Sequence, residues 1–211
     1  MRTGVNRVTL PMGLMLLSAL GACQSSERNV ARDQGAAASA ETSDTGAPGA
    51  SGGAPAATPK GLTDSNIVAI LDDANKADSA SGAVALKKAT RPDVKAFAKL
   101  MTSEHHTMRV EGDQLAKQLG VVPKPPERNP LAGYIANEKT ALQKTPKGAE
   151  FDRTYIDHTV SVHQAVLDFA NQARVTTQTP ELKALIEKAI PTIRKHLDQA
   201  LAIQKQLTPA A

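Results

Sequence analysis

The chain is predicted to be all-α: a four-helix bundle with a short extra helix in its middle connection. Three observations carry this. Apolar residues recur at three- and four-residue spacing in four long stretches, which is the period of a helix with one dry face. No stretch alternates apolar and polar residues as a half-buried strand would. The breaks between stretches are built from Pro, Gly, Thr and Asp, the residues that stop and restart helices. Four helices with one apolar face each bury those faces most readily against one another.

The first helix starts at Thr63 or Asp64, either of which suits a cap, and runs to about Ala89. Ile67, Ile70, Leu71, Ala74, Ala77, Val84 and Ala85 mark its inner face. "TRPD" (Thr90 to Asp93) breaks the chain and restarts it, with Pro92 suited to a first helical turn. The second helix continues to about Leu119, carries Val94, Phe97, Met101, Met108 and Leu115 inward, and ends at Gly120. "VVPKPPERNP" (Val121 to Pro130) excludes helix, because its prolines remove donors and fix the backbone. A short helix over about Leu131 to Gln143 follows, before "TPKG". The third long helix spans about Ala149 to Ala173, with Phe151, Tyr155, Val162, Val166 and Phe169 inward. The fourth spans about Glu181 to Leu207, and Pro191 is expected to kink it or begin it afresh. The long middle connection has the length to cross the bundle.

Ahead of this domain (62–207) the sequence reads as processing signal and tether. Arg2 and Arg7 precede a mostly apolar run from Val8 to Leu20, followed by "LGAC" ending at Cys23. That order is a secretory leader (1–22), and the tetrapeptide matches a bacterial lipobox with Cys23 as the lipid attachment point. The run is short of the ~20 apolar residues a spanning helix needs. Gln24 follows the cysteine where an aspartate would retain the protein in the inner membrane, so a lipid anchor in the outer membrane, facing the periplasm, is expected. Residues 23–61 are rich in Ala, Gly, Ser, Thr and Pro and lack an apolar period, so a disordered tether spanning roughly 30–35 Å is expected.

Composition narrows the function. Net charge falls from +4 to +2 when Arg2 and Arg7 leave with the leader. The only aromatics are Phe97, Tyr134, Phe151, Tyr155 and Phe169, and no Lys/Arg block stands beside one. A nucleic-acid partner is therefore not expected, on charge and on stacking grounds. No nucleophile–base pair is recognisably placed for hydrolysis. Cys23 is the only cysteine, so the folded domain has neither disulfide nor thiolate ligand.

What stands out is ionisable residues on the dry faces, one set per long helix. They are Asp78 on the first, His105 with Glu104 beside it on the second, His163 and Asp152 on the third, and His196 on the fourth. His106 and His158 fall off these lines and read as surface or boundary residues. Burying such groups unpaired costs several kcal/mol each, so they must partner one another or a metal. Imidazole and carboxylate suit zinc, iron or manganese. The Glu-x-x-His pattern of di-iron bundles is absent: Met101, Val160 and Ile193 stand three residues before Glu104, His163 and His196. An inter-helix hydrogen-bond network and a mononuclear metal site both fit the pattern.

"VKAFAKLMTSEHHTMRVEGDQLAKQLGVVP", "FDRTYIDHTVSVHQAVLDF" and "IPTIRKHLDQA" together resemble, in order, segments of a ferritin-like domain-of-unknown-function family, numbered four-one-four-two and described as outer-membrane. The shared marks are an acid-His pair (Glu104-His105), Phe-Asp-x-x-Tyr leading to His (Phe151, Asp152, Tyr155, His163), and Pro followed by His-Leu (Pro191, His196-Leu197). Asp78 stands where the family usually has Glu, and Val162 precedes His163 where an acid is usual. The resemblance implies a ferritin-like bundle across about Leu62 to Leu207 and leaves the activity open. Two readings follow: a binding or structural envelope module, or a metal-binding protein with redox or metal-handling activity.

Overall fold

A computed structural model of the chain describes residues 61–207. The expected leader, Cys23 and the tether as far as Lys60 lie outside these residues. Five helices follow in order: α1 (Asp64–Lys88), α2 (Pro92–Leu119), α3 (Ala132–Lys144), α4 (Ala149–Thr176) and α5 (Pro180–Leu207). There is no strand among the described residues, and no helix there is long and apolar enough to cross a membrane.

The helix ends follow from local chemistry. Thr63 caps α1 in a capping box: its hydroxyl accepts from Asn66 N at 3.3 Å while Asn66 Oδ1 accepts from Thr63 N at 3.1 Å. Pro92 occupies the first turn of α2, and Gly120 ends it at φ 64°, a left-handed conformation that glycine adopts without a Cβ penalty. α5 is continuous through Pro191, so the helix does not begin afresh there. Proline removes one helical hydrogen bond, but the apolar seam of Ile186, Ile193 and Leu197 is buried on both sides of it.

α1 and α2 form one antiparallel hairpin, and α4 and α5 another. α1 packs on α4, and α2 on α5. The ends establish the directions. The Asp152 carboxylate in the first turn of α4 accepts from Thr90 N (2.8 Å), Thr90 Oγ1 (2.6 Å) and Arg91 N (3.0 Å) in the α1–α2 turn. At the opposite end Asp64, in the first turn of α1, accepts from Thr177 Oγ1 (2.7 Å) and Thr179 Oγ1 in the α4–α5 turn. α1 therefore runs up, α2 and α4 down, and α5 up. The middle connection carries the chain back, with α3 parallel to α1: Lys88 Nζ at the end of α1 donates to the carbonyls of Leu142, Gln143 and Thr145 at the end of α3.

The core divides into two apolar clusters. One gathers Ile67, Ile70, Val166, Phe169, Leu182, Ile186 and Ile193 toward the α4–α5 turn; the other gathers Val94, Phe97, Met101, Phe151, Tyr155 and Leu142 toward the α1–α2 turn. α1 packs tightly on α2 at Gly82, where an added Cβ would lie 2.8 Å from Ala98 O. Between the two clusters lies a polar layer.

Candidate metal centre

The polar layer is made by residues near the midpoints of the four long helices: Asp78 (α1), His105 (α2), His163 (α4) and His196 (α5). All four are at most 2% exposed. The three imidazole rings form a triangle with centroids 5.1–5.5 Å apart. One ring nitrogen from each lies within 4.8 Å of the other two.

Hydrogen bonds outside the triangle determine which nitrogen of each ring carries the proton. Asn75 Nδ2 donates to Leu71 O at 2.9 Å, which turns Asn75 Oδ1 toward His105 Nδ1 at 2.7 Å. His105 Nδ1–H is therefore the donor. His163 Nδ1 faces the Thr159 carbonyl at 3.1 Å and must donate to it. His196 Nε2 donates to Glu104 Oε2 at 2.6 Å. Each ring is left with a lone pair on its other nitrogen: His105 Nε2, His163 Nε2 and His196 Nδ1. None of these buried atoms has a hydrogen-bond partner. An outer carbonyl or carboxylate that fixes the tautomer of an otherwise free imidazole is the usual support of a metal-ligating histidine.

Electrostatics point the same way. Burial lowers the pKa of His163 to about 4. Burial lowers that of His105 too, and positive charge on His163 or His196 would lower it further. His196 is lowered by burial, against the opposing pull of the Glu104 carboxylate. All three shifts favour the neutral ring at pH 7, the state in which imidazole binds a metal.

The expected site residues divide on this geometry. Asp78, His105, His163 and His196 come together, with Asp78 oxygens 3.6 Å from His105 Nδ1 and 3.9 Å from His163 Nδ1. Glu104 stands behind His196 as its acceptor. Asp152 is not brought to the cluster: it is fully buried, but at the start of α4, against the α1–α2 turn described above. It shares the face of His163, yet eleven residues of helix separate them by roughly 16 Å along the axis. His106 is exposed and His158 only partly buried, as expected.

Two partners escaped the sequence reading. Asn75 lies one turn before Asp78 on the inner face of α1. Glu138, on α3, is 2% exposed with Oε1 unpartnered. Its signal was available: Leu131, Ile135 and Leu142 trace a helical line on which Glu138 falls.

A cleft of about 380 Å³ opens beside the layer between α1, α2 and α5. Val68, Leu71, Leu182, Leu185 and Ile186 line its apolar wall, and it reaches Asn75, Asp78, Glu104 and His105. Met108, expected inside, is half-buried because it stands at this opening.

The model of the family described as "Domain of unknown function (DUF4142)" matches residues 48–203, and the chain belongs to this family. No curated protein and no solved structure matches it.

Proposed function

We propose that the bundle is a metal-binding module, holding a divalent transition metal on His105, His163 and His196. With a lipid anchor at Cys23, it would be carried on the periplasmic side of the outer membrane. The observation that carries the reading is three buried imidazoles whose rings meet, each with its tautomer fixed by an outside acceptor and its other nitrogen without a partner. A purely structural network would use both nitrogens of each ring; here one of each is left unused. Tetrahedral zinc at ~2.0–2.1 Å from its nitrogens places them about 3.3 Å apart, so the 4.8 Å limit requires ring shifts on the order of an ångström. Zinc suits three neutral imidazoles best, with iron or manganese as weaker candidates. A metal there supplies a Lewis-acid centre, and the cleft gives small molecules a path to its layer.

Elemental analysis of the full chain, purified without chelator or polyhistidine tag, tests this. About one metal ion per chain is expected, lost in the His105→Ala, His163→Ala double variant. No bound metal, or equal metal in the double variant, overturns the reading.

A further inference from the structure

The inner line of α2 has a gap that metal binding does not require. Met101, His105, Met108, Gly112 and Ala116 follow one another on that face at three- and four-residue steps. At Gly112 the line lacks a side chain, and a Cβ added there would meet nothing within 4 Å. Gly82 is the opposite case, since the Ala98 carbonyl of α2 already fills the space beside it. Glycine weakens a helix interior relative to alanine, and no neighbour among the described residues demands it at 112. The space it leaves belongs to the cleft between α1, α2 and α5, which Gly112 lines.

The two ends of that cleft differ. Its α1 wall runs from Val68 to Asp78, roughly 15 Å along the helix axis. Toward Val68 and Gly112 the wall is aliphatic, and neither Phe nor Tyr lines it among the described residues, so it offers no ring to stack on. At the inner end stands Asp78, 2% exposed, whose carboxyl oxygens take part in no hydrogen bond among the described residues. His105 Nδ1 and His163 Nδ1 lie 3.6 and 3.9 Å from it and are committed to Asn75 and the Thr159 carbonyl. The cations along the cleft are held as well: Arg109 by Asp72 at 2.8 Å, Lys188 by Glu111 at 2.8 Å and Lys195 by Glu104 at 3.7 Å. An anionic head would find no free positive charge there, and burying it unpaired is costly.

We propose that the cleft binds an uncharged aliphatic molecule with one hydroxyl head, the head on the Asp78 carboxyl and the chain along the wall past Gly112. A hydroxyl can donate to or accept from a carboxyl group, and a chain of about eight to ten carbons fits the length of the wall. Neither Asp78 nor Gly112 is among the three proposed metal ligands, so an empty histidine site would leave this inference standing.

Isothermal titration calorimetry tests it, on the full chain, untagged and treated with chelator so that no metal holds the alcohol. n-Octanol should bind saturably, and octanoate at least about tenfold more weakly because its charge must be desolvated. Gly112→Leu, whose side chain occupies the cleft, should lose octanol binding while keeping its helical circular dichroism. Asp78→Leu should weaken binding about tenfold, the loss of one hydrogen bond. Asp78→Asn, which still hydrogen-bonds a hydroxyl, should bind octanol as the parent does. The proposal is overturned by a parent that binds no octanol, by octanoate binding as tightly, or by undiminished binding in folded Gly112→Leu or Asp78→Leu. If Gly112→Leu does not fold, Ala189→Leu fills the same cleft from α5 and decides in the same way.

Discussion

Replacing His105 with alanine separates the structural and metal-binding contributions of one side chain. In the metal-free protein the change strands Asn75 Oδ1, whose donor was His105 Nδ1 at 2.7 Å. A buried acceptor left unsatisfied costs about 1–3 kcal/mol. The change also removes Nε2, itself an unpartnered buried atom, which places the net cost toward the lower end. His106→Ala, one residue on and exposed, should shift stability by no more than about 0.5 kcal/mol. Metal then enlarges the contrast. Zinc at a hundred times its Kd stabilises the parent by about 2.7 kcal/mol, and each kcal/mol moves the Tm of a domain this size by about 2–4 °C. Thermal melts followed by circular dichroism, with and without zinc, should show a rise of about 5–11 °C in the parent and in His106→Ala but not in His105→Ala. Equal small effects of the two substitutions would refute the burial reasoning. A parent indifferent to zinc, iron and manganese, alongside a destabilised His105→Ala, would leave a hydrogen-bond network in place of the metal site.

Asp152→Ala strands three donors in the α1–α2 turn and should cost about 2–4 kcal/mol by urea denaturation, yet leave metal content unchanged. Gly82→Ala improves helix propensity by ~1 kcal/mol but presses a Cβ against the Ala98 carbonyl, so a net loss of stability is expected in the same assay. The metal-free protein should have an unusual pH profile. His163, lowered from 6.5 to about 4, takes up its proton more readily unfolded, so its share of stability falls as pH drops from 6.5 toward 4. Asp78, raised by burial from 3.8 to about 8, holds its proton more tightly when folded, so its share is lost as pH climbs from 4 to 8. Between pH 6.5 and 8 only the carboxyl contribution remains, and stability should fall with rising pH by up to about 1.4 kcal/mol per unit for each buried carboxyl. Asp78→Asn should flatten that limb in urea titrations at each pH. Finally, Cys23→Ala should release the protein from membranes or block its maturation; unchanged, detergent-extractable membrane association on fractionation would show that the anchor lies elsewhere.

The long helices and the histidine triangle were legible because both depend on the helical period. Asp78, His105, His163 and His196 fall on apolar lines, and period decides which way such residues face. It does not decide height: Asp152 shares its line with His163 and lies at the end of the bundle, serving a turn. Glu138 lay on a line just as clear, on the short helix of the middle connection, to which no inward face was assigned. Asn75 carries no charge, and its role depends on which way its amide turns, which Leu71 O determines only in the folded helix. The cleft depends on how far α2 and α5 stand apart, and no single-helix pattern contains that separation.

The acids at the two ends of the bundle constrain how it can move. Asp152 ties the first hairpin to the second at one end, and Asp64 ties the second to the first at the other. Hairpins pinned at both ends cannot slide or hinge apart as rigid bodies; they can only bow, and bowing is greatest at mid-length. That is the height of the three histidines, one from the first hairpin and two from the second. An ion held there would act as a third rivet at the point of greatest compliance, so loading it should stiffen the cleft far more than it reshapes the fold.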